Sequence, residues 1–181
     1  TLTVALIDSS TTVTTNATVD VSTRGGTTAY SSSTVTLSNT VNAVNDAPVA
    51  SGSATLTAID EDTTNPSGAT VSSLFSSNFS DSTDTVSGGS SANTLAGIAI
   101  TSYTRDATKG EWQYSTNGSS WTTISSSISA ASSSLTFKST DYLRFLPAAN
   151  WNGSAPTLTV ALIDSSTTVT TNATVDVSTR G

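Results

Sequence analysis

Apolar and polar residues alternate with a period of two along much of the chain. The alternation is clearest over residues 54–59 and 158–162, where every second side chain would face the same side of a strand. Thr, Val and Ile, whose branched side chains suit a pleated strand, are abundant in these segments. The pattern predicts strands near residues 2–7, 11–22, 28–44, 53–59, 95–103, 111–115, 120–124, 135–137, 142–146, 157–163 and 167–178.

Two segments carry a more local signal. Residues 111–121 predict a hairpin that turns at Asn117-Gly118, a dipeptide suited to tight turns. Residues 70–80 predict a short helical turn with Leu74, Phe75 and Phe79 pointing inward. Many short strands joined by polar turns predict an all-β fold, an antiparallel β-sandwich.

A perfect internal repeat is the strongest feature of the sequence. Residues 1–25 and residues 157–181 both read TLTVALIDSSTTVTTNATVDVSTRG, at an offset of 156 residues. Identity over this length indicates a tandem array with a 156-residue period. Such arrays behave as nearly one-dimensional spacers in which each unit contacts mainly its neighbours.

The segment 41–49 is interpreted as a linker between two repeats. Pro48 cannot donate a ladder hydrogen bond, and the residue before a proline is biased toward an extended backbone. Residues 1–46 are then the C-terminal part of one repeat, and residues 47–181 are most of the next. The second part lacks a counterpart of residues 26–46, and we expect that stretch to complete the sandwich, within the chain or by strand exchange with a neighbouring molecule.

Composition narrows the possible functions. Ser and Thr make up 72 of the 181 residues, whereas charged residues are 10%, and Cys, Met and His are absent. The chain therefore has no Cys or His nucleophile, no thiolate or imidazole zinc ligand and no disulfide, and its Ser-rich runs lack a suitable base, so we do not expect an enzyme. A net charge of −7 with only six scattered basic residues argues against nucleic-acid or membrane partners.

Several segments resemble the cadherin-like, Ig-like tandem repeats of giant bacterial surface proteins, including the RTX adhesins. They are the Asn45-Asp46-Ala47-Pro48 junction, the acidic residues 59–63, the run 143–153 followed by 158–164, and the aromatic hairpin at 111–121. The resemblance implies an extracellular stalk module on the bacterial cell surface, whose partners are neighbouring repeats of the same chain and whose junctions bind calcium. The 156-residue period is long beside a common sandwich of about 100 residues.

With calcium at the junctions implied, oxygen-bearing side chains become candidate ligands, because calcium takes six to eight oxygens. A second acidic loop at Asp81 and Asp84 is a weaker candidate for a metal site, the alternative being a solvated loop. The simpler interpretation of all these residues is that they form turns and charge the sheet edges. The candidate calcium ligands are Asn45, Asp46, Asp60, Glu61, Asp62, Asp8 (whose copy is Asp164) and Asp141.

Aromatic residues provide the alternative function. A carbohydrate-binding β-sandwich module would stack sugars on the aromatic side chains of the hairpin. Core packing is the simpler expectation, because a sandwich so poor in Leu needs its aromatic residues inside. The residues concerned are Trp112, Tyr114, Trp121, Tyr142 and Trp151.

Overall fold

The computed structural model describes residues 1–179, which form two compact units. The first unit is Thr1–Asn42, and the second begins at Ala43. The linker residues Asn45 and Asp46 therefore belong to the second unit. Within the described residues, no helix is long and apolar enough to cross a membrane.

The first unit is organised around a two-stranded antiparallel hairpin of β1 (Leu2–Ile7) and β2 (Tyr30–Leu37). Large apolar side chains of both strands remain in solvent, with Leu2 58% and Leu37 65% exposed. An isolated two-stranded hairpin is marginally stable in water, because it has no second layer to cover its apolar face.

The second unit consists of short strands and one short helix. Between the strands lie 3₁₀ turns at Ser76–Asn78, Ser82–Asp84 and Ala131–Ser133. The elements are β3 (Val49–Ala50), β4 (Ala69–Thr70), α1 (Val71–Phe75), β5 (Phe79–Ser80), β6 (Leu95–Tyr103), β7 (Gly110–Ser115), β8 (Thr122–Thr123), β9 (Ser134–Lys138), β10 (Tyr142–Pro147), β11 (Leu158–Asp164) and β12 (Ala173–Val175).

These strands form two four-stranded antiparallel sheets and one small ladder. One sheet has the order β4-β10-β7-β8, the other has the order β11-β6-β9-β12, and β3 pairs with β5. Side chains from both large sheets meet in one hydrophobic core that includes Ile98, Phe137 and Leu143. The predicted all-β fold with antiparallel sheets is confirmed, and the shared core gives it a sandwich arrangement.

The core is thin and includes buried hydroxyl groups. Ile98, Ile100 and Phe137 are completely buried, and the buried Thr136 satisfies its hydroxyl by donating to the carbonyl oxygen of Thr170 at 2.7 Å. Gly97 permits close packing of β6 on β9, since a Cβ there would lie 2.2 Å from the carbonyl oxygen of Phe137.

The predicted helical turn at 70–80 is confirmed over Val71–Phe75, which form α1, but the prediction is wrong at its end, where Phe79 and Ser80 form β5. The Thr70 hydroxyl caps α1 by accepting a hydrogen bond from the Ser73 backbone N–H at 3.1 Å. Leu74 and Phe75 pack against the core cluster as predicted from sequence, whereas Phe79, the third residue predicted to point inward from the turn, lies in β5.

Identical sequences adopt different structures in the two units. Residues 173–175 form β12, which pairs with β9, but their copies at 17–19 form no strand. Val169 is 7% exposed, whereas its copy Val13 is 67% exposed. The available pairing partner, rather than the local sequence, decides the conformation of this segment.

Truncation of the core provides a test of this architecture. Phe137→Ala is expected to destabilise the second unit by about 3–5 kcal/mol, because it leaves a cavity between the two sheets. Val86→Ala is the control, because Val86 is 58% exposed and its loss should stay within about 0.5 kcal/mol. Urea unfolding followed by tryptophan fluorescence measures both, and equal midpoints for the two variants would contradict the assigned core.

Candidate metal centre

One end of the second unit gathers polar residues from four separate segments. The antiparallel pairing of β11 with β6 places Asp164 opposite Leu95, so the residues just before β6 lie beside the end of β11. The pairing of β3 with β5 brings the linker next to the turn that follows β5. We call this group the linker-end cluster; its members are Asn45, Asp46, Asp81, Asp84, Asn93 and Asp164.

Three carboxylates of the linker-end cluster are almost completely buried. Asp81, Asp84 and Asp164 are 5%, 6% and 4% exposed. The two ion pairs found among the described residues, Arg105–Glu111 and Lys109–Asp106, lie elsewhere. Burying a carboxylate without a compensating charge is costly, so the local electrostatics favour a bound cation.

Backbone amides hold one oxygen of each buried carboxylate. The Asp46 N–H donates to Asp84 Oδ1 at 2.9 Å, and the Asn93 N–H donates to Asp81 Oδ2 at 2.5 Å. The Ser166 N–H donates to Asp164 Oδ1 at 2.8 Å. These contacts fix the orientation of the three carboxyl groups and leave their second oxygens for other partners.

Two side-chain amides contact the second carboxylate oxygens of Asp84 and Asp164. Asn93 Nδ2 donates to Asn45 Oδ1 at 2.5 Å and to Asp84 Oδ2 at 3.4 Å. Asn45 Nδ2 donates to Asp164 Oδ2 at 3.5 Å. The amide hydrogens therefore occupy the space between carboxylates, and the last two contacts are long for hydrogen bonds.

Asp81 Oδ1 is the unsatisfied atom of the cluster. It is buried and accepts no hydrogen bond from the described residues. A buried acceptor without a partner costs about 1–3 kcal/mol, and more when it is charged. Such an atom, in a carboxyl group whose other oxygen is already bound to Asn93, marks a position where a positively charged ligand would be stabilising.

The donor set suits a hard cation. It offers only oxygens for coordination, which calcium prefers, and it has no nitrogen or sulfur ligand for zinc. Within residues 1–179, no three acidic side chains are close enough together to hold a metal ion by themselves. Asn45 and Asn93 would have to contribute their amide oxygens, which requires rotation of each amide about χ2.

The acidic loop predicted to share a site with Asn45 and Asp46 lies at the opposite end of the unit. Asp62 Oδ1 accepts a hydrogen bond from the Asn150 N–H at 2.7 Å, and Glu61 Oε2 accepts one from Asn152 Nδ2 at 3.3 Å. Asp60 accepts hydrogen bonds from Thr63 through its backbone carbonyl oxygen. This loop adjoins the connection before β11, whereas Asp164 ends β11, and a seven-residue strand is roughly 20 Å long.

Asp141 and Asp8, the two remaining candidate calcium ligands, lie outside both the linker-end cluster and the acidic loop. Asp141 Oδ2 accepts hydrogen bonds from the Lys138 N–H at 2.8 Å and from Thr171 Oγ1 at 2.7 Å, so this carboxylate stabilises the turn between β9 and β10. Asp8 is exposed in the first unit, where hydrogen bonds from the Ser10 hydroxyl and N–H lower the pKa of its carboxyl group. Neither residue belongs to the linker-end cluster.

Sequence reasoning omitted Asn93 and gave Asp81 and Asp84 little weight. Asn93 carries no signal of its own, since it is one of many polar residues in a loop. Asp164 was considered only as the copy of Asp8, and the two have the same local sequence. Asp164 differs from Asp8 because β11 pairs with β6, a contact between segments that lie far apart in the sequence.

The aromatic residues divide between two faces of their sheet. Trp112 packs toward the core, where its Nε1 donates to the Pro156 carbonyl oxygen at 2.7 Å and its ring meets Phe145 at 5.6 Å. Trp121 lies under the buried Arg144 guanidinium, 4.1 Å from the ring centroid, and burial lowers the pKa of that arginine. Trp112 and Trp121 therefore do not form one continuous platform.

No protein-family model, curated protein or solved structure matches the chain. The function of the chain is therefore inferred from the repeat, the fold and the contacts of individual residues.

Proposed function

We propose that the chain is a structural repeat of a bacterial cell-surface adhesin, an extender module stiffened by calcium. The observation that carries calcium binding is the unpartnered Asp81 Oδ1, buried with the carboxylates of Asp84 and Asp164 in a cluster that pairs with no cationic side chain of residues 1–179. The perfect 25-residue repeat supports the extender role, because identical units in tandem add length rather than new chemistry.

Calcium would act by replacing the amide bridges of the linker-end cluster. With the amides of Asn45 and Asn93 rotated, their oxygens and the carboxylates of Asp81, Asp84 and Asp164 form an all-oxygen donor set. The residues that would hold the ion come from the linker, the turn after β5, the loop before β6 and the end of β11, so calcium bound there would supply positive charge between these segments. The linker then loses freedom relative to the sandwich that follows it.

A second calcium position is proposed at the junction of successive repeats. Asp60, Glu61 and Asp62 are exposed and lie at the end of the unit remote from Asn45. The ligand set suggested by the resemblance therefore cannot meet within one unit, and would have to combine the acidic loop of one repeat with the linker of another. This hypothesis retains the junction calcium and divides its ligands between two repeats.

A non-enzymatic role is part of the same proposal. The sequence contains no His or Cys, and its most unusual carboxylates are those of the linker-end cluster. There the carboxyl groups of Asp81, Asp84 and Asp164 are each held by a backbone amide, an arrangement suited to binding an ion rather than to transferring a proton.

Calcium is expected to raise the midpoint of thermal unfolding of the metal-free protein. A ligand that binds only the native state stabilises it by RT ln(1 + [L]/Kd), about 2.7 kcal/mol at a hundredfold excess over Kd. Asp81→Asn should abolish this response, and it should raise the midpoint in EDTA because it removes a buried, unpaired charge. Calorimetry with calcium, with magnesium and with EDTA provides the measurement.

The repeat supplies a matched control for that experiment. Asp164→Asn changes a proposed calcium ligand in the linker-end cluster. Asp8→Asn makes the same substitution in the same local sequence, at an exposed position. Only the former should weaken the calcium response. A midpoint that stays constant over a wide range of calcium concentration would rule out the proposed ion.

Stiffening is tested on a protein with several repeats in tandem. Small-angle scattering should give a shorter maximum dimension in EDTA than in calcium, because released linkers let neighbouring sandwiches reorient. The triple variant Asp60→Asn, Glu61→Gln and Asp62→Asn should shorten the maximum dimension in calcium, toward the value of the parent protein in EDTA. An EDTA-insensitive maximum dimension would contradict the stalk mechanism, whatever the melting experiment shows.

One cavity favours carbohydrate binding as a second candidate function. A groove of about 510 Å³ has Trp112, Phe145 and Trp151 in its wall and Asp60 and Glu61 at its margin. Aromatic faces pack against the apolar faces of sugar rings, and carboxylates accept hydrogen bonds from sugar hydroxyls. This groove is distinct from the stack formed by Trp121 and Arg144.

If this groove binds sugars, tryptophan fluorescence should change in a saturable way on titration with at least one oligosaccharide of a broad glycan panel. Trp151→Ala should then remove binding, and Trp121→Ala should leave the Kd within about twofold, since Trp121 is not in the groove wall. Absence of any saturable signal across a broad glycan panel would eliminate this second candidate.

A further inference from the structure

The dipeptide Asn-Gly occurs twice in the chain, at Asn117-Gly118 and at Asn152-Gly153. Such a dipeptide can deamidate spontaneously, because glycine has no Cβ to shield its backbone nitrogen from the asparagine side chain. The glycine nitrogen attacks the asparagine Cγ atom, and a cyclic succinimide forms as ammonia leaves. The two dipeptides have different surroundings, so the structure decides which of them can react.

The turn of the aromatic hairpin holds Asn117 and Gly118 in place. Asn117 Oδ1 accepts hydrogen bonds from the backbone N–H groups of Ser119 and Ser120, each at 2.9 Å. The Gly118 N–H donates to Ser115 Oγ at 2.9 Å. Attack on Asn117 Cγ would require Gly118 to give up its bonded proton and the side chain of Asn117 to leave its partners. The turn therefore has to open before this dipeptide can react.

The reactive groups of Asn152 and Gly153 have no such restraint. Both residues are exposed, and Asn152 Nδ2 makes one long hydrogen bond, to Glu61 Oε2 at 3.3 Å. Neither Asn152 Oδ1 nor the Gly153 N–H has a hydrogen-bond partner among residues 1–179. The side chain can therefore rotate toward the Gly153 nitrogen after losing a single contact.

The backbone after Asn152 requires glycine. Gly153 has a φ of 131°, a region that residues with a Cβ rarely adopt. A Cβ there would also lie 3.3 Å from Cζ2 of Trp151, whose side chain is in the wall of the groove of about 510 Å³. The shape of this loop thus keeps the reactive dipeptide in the sequence.

We propose that Asn152 deamidates spontaneously in the folded protein. The Gly153 nitrogen loses its proton and bonds to Asn152 Cγ, the bond from Cγ to Nδ2 breaks, and the nitrogen leaves as ammonia with the transferred proton. Water then opens the succinimide. Cleavage of the new bond to Cγ gives aspartate, and cleavage of the original peptide bond to Gly153 gives isoaspartate. One water is consumed and one ammonia is released.

The reaction changes the charge of the acidic loop that contains Asp60, Glu61 and Asp62. Its product has a carboxylate where Asn152 Nδ2 now donates to Glu61, so repulsion between like charges replaces a hydrogen bond. A fourth carboxylate raises the affinity of the loop for calcium, since ligand charge tunes such sites. This consequence rests on the calcium position proposed at the junction of repeats, whereas the deamidation itself does not.

Isotope labelling with peptide mapping tests the deamidation. The protein is incubated in ¹⁸O-labelled water at mildly alkaline pH, which favours loss of the glycine proton, and is then digested in ordinary water for mass spectrometry. Asn152 should acquire ¹⁸O about tenfold faster than Asn117, because only the turn at Asn117 has to open. In urea, where both dipeptides are exposed, the two rates should agree within about threefold.

Two results of the labelling would overturn the proposal. One is an equal rate at Asn152 and Asn117 in the native protein, which would show that the structure makes no distinction between them. The other is an Asn152 that stays unlabelled in the native protein over the time in which it reacts in urea.

The effect on calcium is measured on a protein with several repeats in tandem. Asn152→Asp reproduces the charge of the product, and Asn152→Gln is the matched control that keeps an amide. Small-angle scattering gives the calcium concentration of half-maximal extension, which should fall about threefold for Asn152→Asp and stay within about twofold for Asn152→Gln. Equal values for Asn152→Asp and the parent would overturn the effect on calcium. A parent that does not extend with calcium would contradict the junction ion itself, and neither result alters the labelling at Asn152.

Discussion

The burial of three carboxylates that pair with no basic side chain in the described part of the chain is the constraint on which the linker end of this sandwich depends. Asp81, Asp84 and Asp164 come from two segments far apart in the sequence, and each has one oxygen fixed by a backbone amide. A thin core rich in hydroxyl groups has little hydrophobic stabilisation with which to offset their desolvation. Whatever lies between the carboxylates, amide hydrogens or a cation, therefore decides how firmly the linker is attached.

Strand content could be predicted only in part, although alternation and branched residues act locally. Residues 158–162 lie in β11, whereas residues 54–59, with equally clear alternation, form no strand. The limit of that approach is visible in the repeat, where Val13 is exposed and Val169 is buried although their surroundings in the sequence are the same. A segment of Ser, Thr and Val has only a weak preference for strand, and the neighbouring β9 determines whether β12 forms.

The candidate site was less accessible to sequence reasoning, for a geometrical reason. The resemblance to adhesin repeats implied calcium ligands at both Asn45 and Asp60, but the segment between these residues runs along the unit and separates them. Asn45 and Asp164 are 119 residues apart and come together because β11 ends where the linker begins. Spacing in the sequence is informative for a turn and misleading across an extended segment.

The attachment of the linker by side chains has a mechanical consequence. Tension applied through the linker reaches the sandwich at the Asp46–Asp84 contact and then at the two-residue ladder of β3 and β5, before it loads the seven-residue β11. Short ladders open under small forces because few hydrogen bonds share the load, and a carboxylate cluster has a strength that varies with the ions around it. In the proposed array of such units, the compliant elements would be the linkers, and the ionic composition of the medium would set the force at which the array lengthens.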